Sequence, residues 1–226
     1  MVRARVFYLF HRFIKDGKNG IPPEIALSLI GGIRDLLTIQ VELPELEDPD
    51  QQDLLTEAIK NPGIFESQLY MFEAVGTLVN ILYRNPEEQV SLLQAIVKPL
   101  LDELSINLQS STKGTRDVLA IVRLHHIIMA LGNIAKGFPD YPSPVPEGYI
   151  GPPLDVFRQV AQAILVCLGA MNVFKAVRDA VSKQLSIAVC ALPPCSLSSC
   201  LDPICLFSNH SDLRIQRYPF HLRAYG

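Results

Sequence analysis

Along residues 1–16, Val6, Phe10, Phe13 and Ile14 fall on one side of a 3.6-residue helix, and Arg5, Tyr8, Arg12 and Lys15 fall on the other. The spacing predicts a helix that packs its apolar side and turns its basic side outward. Asp16-Gly17 and the run Asn19-Gly20-Ile21-Pro22-Pro23 stop it. Glu24 to about Ile39 then begins a second helix, with Leu27, Ile30, Ile33 and Leu37 in register, and the two are expected to form a first hairpin.

After a proline-broken linker, residues 51–60 and 65–84 read as another helical pair, the second carrying Phe65, Leu69, Phe72, Val79 and Leu82 as a core face. Asn85-Pro86-Glu87-Glu88 is a helix start: Asn85 caps, Pro86 sits where a missing N–H costs nothing, and Glu88 can reach back. Val90, Leu93, Val97, Leu100, Leu104 and Leu108 follow at helical spacing, and Pro99 inside that run should kink the helix rather than end it. Ser110–Gly114 breaks the chain. Residues 115–136 form the next helix, with Ile121, Leu124, Ile128, Leu131 and Ala135 inward and Arg116 and Arg123 to one side. Beyond a proline-rich loop at 138–153, residues 154–171 and 173–181 are again helical.

No segment reads as a strand, and the helices come in pairs every 40–50 residues or so, the period of a HEAT-type solenoid. The fold class is therefore all-α, an α-solenoid of HEAT-like antiparallel helix hairpins with an irregular tail. Gly31-Gly32, Gly76, Gly132 and Gly169 lie inside predicted helices and are expected to mark close helix–helix approach. Neither end carries a polar cap, so the body looks like a section of a longer array.

Composition divides the chain near residue 181. Of the five cysteines, Cys190, Cys195, Cys200 and Cys205 lie beyond it, and only Cys167 lies before. Residues 1–182 carry sixteen basic and twenty-one acidic side chains, whereas 183–226 carry four and two. With 49% hydrophobic residues the body can bury a core, so disorder throughout is excluded. The expected division is a helical-repeat section over 1–180 and a Cys/Pro/Ser-rich tail over 181–226. Val181-Ser182 can be encoded by a splice-donor sequence, which makes the tail a candidate for translated intron or a frame error.

Local charge matters more than the net value of -3. Residues 1–18 are basic, with Arg3, Arg5, Arg12, Lys15 and Lys18 against Asp16. The stripe Arg5, Tyr8, Arg12 and Lys15 could meet nucleic-acid phosphate, with Tyr8 available to stack; Arg116 and Arg123, seven apart on one helix face, and Lys113 in the preceding loop are further candidates. The alternative is an ordinary solvated face. Residues 41–57 hold seven acids and no base; Glu42, Glu45, Glu47, Asp48 and Asp50 could face a basic partner or simply solvate a linker.

Catalytic and metal chemistry find little support. His125-His126 are adjacent, so they point about 100° apart on a helix, and no histidine lies four residues on. Packing is expected for His125 and a boundary position for His126. The tail cysteines recur every five residues, a spacing unlike zinc pairs. Asn209-His210-Ser211 is a formal glycosylation sequon without a secretory signal. No phosphate loop, nucleophile elbow or His-Glu-x-x-His helix occurs, so neither an enzyme nor a cofactor is expected. The apolar stretch at 161–174 is short for a membrane span, and no membrane partner is expected.

The runs Val2-Arg-Ala-Arg-Val-Phe-Tyr-Leu-Phe-His-Arg-Phe-Ile-Lys15, Phe65-Glu-Ser-Gln-Leu-Tyr-Met-Phe-Glu-Ala-Val-Gly76, Leu124-His-His-Ile-Ile-Met-Ala-Leu-Gly-Asn-Ile-Ala-Lys-Gly-Phe138 and Phe174-Lys-Ala-Val-Arg-Asp-Ala180 resemble the middle portion of the exportin-T family, fungal members above all. These are tRNA nuclear export receptors of the importin-β superfamily. The resemblance covers about residues 2–180. It implies a HEAT superhelix that binds tRNA together with Ran-GTP, meets nuclear pore proteins in passage, and shuttles between nucleus and cytoplasm. It also implies that most of the Ran contact lies in repeats without counterpart in this chain. A generic HEAT scaffold for protein surfaces and a non-functional truncated product are the alternatives.

Overall fold

In the computed structural model, residues 2–45, 53–112, 117–142 and 144–190 are described, and all regular structure among them is helical. The α-helices are α1 (Val2–Gly17), α2 (Pro23–Ile33), α3 (Leu54–Lys60), α4 (Ile64–Ile81), α5 (Pro86–Thr112), α6 (Val118–Lys136), α7 (Leu154–Met171) and α8 (Lys175–Cys190). Short 3-10 turns follow α1, α2 and α4.

Local chemistry explains most of the boundaries. Pro22 and Pro23 open α2, whose α-helical part ends at Ile33, sooner than the expected Ile39, just after two glycines that weaken helix propagation. Asp53 caps α3 by accepting from the Thr56 N–H at 3.1 Å and the Thr56 hydroxyl at 2.6 Å. Gly63 sits at φ +58°, the left-handed region that glycine enters freely, and turns the chain tightly into α4. At α5 the expected cap forms in modified guise: Gln89 N–H donates to the Asn85 carbonyl at 3.0 Å, and the Asn85 side-chain amide donates to Glu88 Oε2 at 2.9 Å. Pro99 is carried inside an unbroken α5. Asp117 starts α6 by accepting from the N–H groups of Leu119 and Ala120.

The helices stack in two rows. α1, α4, α6 and α8 follow one another in the first row, and α2, α5 and α7 lie in the second. The antiparallel pairs are α5 with α6 and α7 with α8, while α2 lies against α4 and the short α3 against α6. This is the layered packing of a helical solenoid. It corrects the expected first hairpin, because α1 packs chiefly on α4, more than fifty residues away, and not on α2.

One continuous core runs through both rows. It takes Phe65, Phe72, Leu78 and Val79 from α4, Leu93, Val97, Leu100 and Leu104 from α5, and Ile121, Leu124, Ile128 and Leu131 from α6. Each such side chain contributes about 1.5–3 kcal/mol on full burial. The anticipated face of α1 is rotated: Phe7, His11 and Ile14 are buried, whereas Val6 and Phe13 are exposed.

The α4–α6 contact is close enough to exclude any side chain. A Cβ on Gly76 would stand 2.0 Å from the Ile134 carbonyl oxygen, and one on Gly137 2.2 Å from the Thr77 nitrogen. Gly132 similarly admits Gln184 of α8. Gly31 and Gly32 differ from expectation, since nothing lies within 4 Å of a Cβ on either. α8 also passes the boundary anticipated at 181, and Val181 and Gln184 are both buried. Residues 175–190 keep helical spacing, with Val177, Ala180 and Val181 in the core, so the Val181-Ser182-Lys183 stretch is helix interior.

α6 and α7 are long and apolar enough to pass a length-and-hydropathy test for a membrane span, which the sequence reading did not anticipate. For α6 the reason is its central place: 72% of that stretch is buried among its neighbours.

Candidate functional site

The basic edge of α1 divides once its neighbours are in place. Arg5 and Arg12 are exposed, and Arg12 Nε lies 3.4 Å from Asp16 Oδ2. Tyr8 first and Asp16 second hold the Arg12 guanidinium above its usual pKa, so it stays cationic. Tyr8 is 41% exposed, and its ring meets Tyr70 edge-on at 5.4 Å. Lys15 behaves differently: its Nζ donates to Glu73 Oε1 of α4 at 3.1 Å. Its charge is engaged within the protein, which leaves Arg5, Tyr8 and Arg12 as the outward group.

Glu73 is the polar joint of the first row. Its nearly buried carboxylate takes Lys15 at 3.1 Å on Oε1 and Lys136 of α6 at 3.5 Å on Oε2. His11 Nε2 stands 3.1 Å from Oε1 without the alignment of a hydrogen bond. Burial alone would raise the Glu73 carboxyl, but Lys15, His11 and Lys136 together outweigh it and hold the group below the usual carboxylate range. Three helices are thus tied at one side chain, a joint that no local pattern reveals.

The other candidates are scattered. Arg123 is half-buried in α6, and its Nε has no hydrogen-bond partner among the described residues. Lys113 and Arg116 lie outside the described residues, as do Glu47, Asp48 and Asp50. Glu42 and Glu45 are exposed and make no ion pair with a described residue. Asp53 and Glu57, at the end of the acidic run, serve α3 itself through the cap and a 3.0 Å contact with Lys60.

The histidine pair is packed, with its two members exchanged relative to expectation. His126 is fully buried and stacked on Phe65 at 3.8 Å, while His125 is only partly buried. Their Nδ1 atoms are 3.2 Å apart, so one ring donates and the other accepts. Burial lowers the pKa of His125 to about 4; burial and the neighbouring His125 lower that of His126 to about 3. Among the described residues no group of three or more His, Cys, Asp or Glu is placed to hold a metal. Cys167 is buried, and its thiol is pushed up to about 12.

Two clefts escaped the sequence reading. One of about 450 Å³ separates α2 from α5, with Leu27, Ile30, Ile96 and Pro99 on its walls and Arg34, Asp35 and Glu103 as its charged groups. Pro99 leaves the Ala95 carbonyl without its intrahelical donor, and both residues line this cleft. A second, of about 360 Å³ between α3, α6 and α8, gathers Lys60, Lys175 and Lys183 with Asp179. These lysines come from two helices distant in sequence, so no spacing rule could unite them.

Stacked helical pairs with charged edges, and with clefts opening between helices, define a helical-repeat scaffold that presents surfaces to partners. The family model described as Exportin-T matches residues 1–195, and the chain belongs to that family. It is 59% identical over 178 residues to Exportin-T of Laccaria bicolor, covering 79% of this chain and 16% of the relative. It is 54% identical over 179 residues to Exportin-T of Coprinopsis cinerea, with 79% and 17% covered. With Exportin-T of Mycosarcoma maydis the identity is 37% over 185 residues, with 79% and 16% covered. The chain therefore spans about one-sixth of the length of these curated relatives. The family match also reaches fifteen residues beyond the boundary expected at 180, in step with the continuation of α8.

Proposed function

We propose that this chain is a section of a nuclear export receptor that binds tRNA together with Ran-GTP and carries it past nuclear pore proteins to the cytoplasm. The observation that carries the reading is membership of the Exportin-T family over residues 1–195, joined to a stacked helical fold. The role is one of binding and transport, without catalysis, and the receptor shuttles between nucleus and cytoplasm. Within the section, the exposed Arg5–Tyr8–Arg12 edge of α1 is the leading phosphate-facing group: arginine displaces counterions and tyrosine can stack a base. Arg123, half-buried in α6, is a second candidate through its cationic guanidinium. Glu42 and Glu45 face outward on the opposite charge and suit a basic protein surface such as one on Ran.

The test is a chimera in which residues 2–180 replace the matched segment of the Laccaria bicolor relative. Filter retention of labelled tRNA, with and without Ran loaded with a GTP analogue, reads the result. Retention that depends on Ran-GTP and equals that of the parent is expected. A folded chimera that retains Ran but not tRNA would refute the reading.

A further inference from the structure

The cleft of about 450 Å³ between α2 and α5 has no part in the function proposed above. Its walls are apolar: Leu27 and Ile30 of α2 lie across from Ile96 and Leu100 of α5, and the buried Phe72 of α4 joins the lining. The volume is on the scale of sites that take a small molecule or a few residues of peptide. Gly31 stands on the α2 side, and nothing lies within 4 Å of the Cβ it lacks. A glycine inside a helix weakens it, and no close approach within the chain requires this one; its effect is to leave the α2 wall of the cleft low.

Three polar features interrupt the apolar lining. Glu103 of α5 is half-buried and makes no ion pair with a described residue. Arg34 and Asp35 are exposed neighbours in the turn that follows α2, so their charges offset one another at the rim and leave Glu103 as the uncompensated charge. A partly desolvated carboxylate beside apolar walls is little screened by salt and favours a cation brought to it. The third feature is the Ala95 carbonyl, which Pro99 deprives of its intrahelical N–H donor. It is an acceptor open to an incoming N–H.

One kind of ligand meets all of these together. An extended peptide brings a backbone N–H to Ala95, a large aliphatic side chain fills the space beside Gly31, and an adjacent arginine or lysine reaches Glu103. Acidic peptide and RNA do not suit the cleft, because carboxylate or phosphate would be set against Glu103 and Asp35. We propose that the α2–α5 cleft is a docking site for an extended segment of a partner protein in which a large aliphatic residue stands next to a basic one.

Short fluorescein-labelled peptides with a central leucine flanked by arginines, glutamines or glutamates test this on the whole chain by fluorescence anisotropy. Affinity should fall in that order, by about tenfold from the arginine to the glutamine peptide, and the difference should shrink with added salt. Glu103→Gln should remove the preference for arginine and leave the glutamine peptide unchanged. Gly31→Met fills the open side of the cleft without a clash and should abolish binding while Tm stays at or above that of the wild type, which separates loss of the site from loss of the fold. Pro99→Ala returns an N–H to Ala95 and should weaken all three peptides alike, again with no fall in Tm. Equal affinity for the three peptides, or binding that survives Gly31→Met, would overturn the proposal. The chain's own residues 213–223 include Arg214, Ile215, Arg217 and Phe220. Binding of the arginine peptide only after Arg214→Gln/Arg217→Gln would assign the cleft to that segment instead of a partner, and no binding to either form of the chain would equally sink the proposal. None of these readouts involves RNA or Ran, so the docking site and the proposed function can fail separately.

Discussion

Gly76→Ala sets two effects of opposite sign against each other. Inside an isolated helix, alanine is better than glycine by about 1 kcal/mol, so α4 by itself would gain. Here, however, the new methyl would stand 2.0 Å from the Ile134 carbonyl oxygen and 3.2 Å from the Gly137 Cα. Both are backbone atoms of the α6 end, with no rotamer to yield, so the two helices must part by more than an ångström. Overpacking of this kind costs typically about 1–3 kcal/mol and more where backbone is struck. With α4 and α6 at the centre of the core, a net loss of about 2–4 kcal/mol is expected. For a chain of this size that corresponds to a fall in Tm of roughly 4–16 °C. Gly31→Ala is the internal control: nothing lies within 4 Å of its Cβ, so only the propensity gain of about 1 kcal/mol remains and Tm should rise by a few degrees. Thermal and urea unfolding followed by circular dichroism would read both. If Gly76→Ala melts at or above the wild type, the close α4–α6 approach is wrong.

Further expectations concern charge. Glu73→Ala should cost about 1–2 kcal/mol, because Lys15 and Lys136 are exposed enough to regain water while His11 is not; urea midpoints measure it. The folded-state pKa of Glu73 is depressed, so its contribution is present above the ordinary carboxylate range and is lost as pH falls through the folded value; Glu73→Gln should flatten that acidic limb of a stability–pH profile. His125 and His126 act in a higher window. Their folded pKa values of about 4 and about 3 lie below the ordinary 6.5, so the unfolded chain binds the extra protons. Stability should therefore fall from about pH 6 downward, by up to about 1.4 kcal/mol per pH unit for each histidine, and His126→Phe should reduce that slope. In the chimeric receptor, Arg12→Gln should lower the salt slope of tRNA binding by about one unit, while Lys15→Gln should leave it nearly unchanged because Lys15 serves Glu73.

What the sequence made legible followed from local rules. Helical periodicity found the core faces of α4, α5 and α6, and the Asn85–Pro86–Glu88 signature marked the start of α5. Where a helix carries two apolar stripes, periodicity becomes ambiguous. On α1 it favoured Val6 and Phe13 over Phe7 and His11, and only the contact with α4 decides between them. Distance in sequence hid the rest. Lys15 meets Glu73 across 58 positions, and Gln184 meets Gly132 across a turn of the array, so neither pairing leaves a local trace. Gly76 and Gly31 look alike as helix glycines, yet only Gly76 faces another backbone. The basic edge was legible as charge, while the withdrawal of Lys15 from it was not.

The central claim is that this section of the array takes part in holding tRNA when Ran-GTP is bound. Cross-linking of 4-thiouridine-substituted tRNA to the chimeric receptor, with the adducts mapped by mass spectrometry, tests it most directly. Adducts on the α1 peptide that contains Tyr8 and Arg12, formed only with Ran-GTP present, are the predicted result. Retained tRNA that cross-links elsewhere and leaves residues 2–180 unmarked would contradict the account.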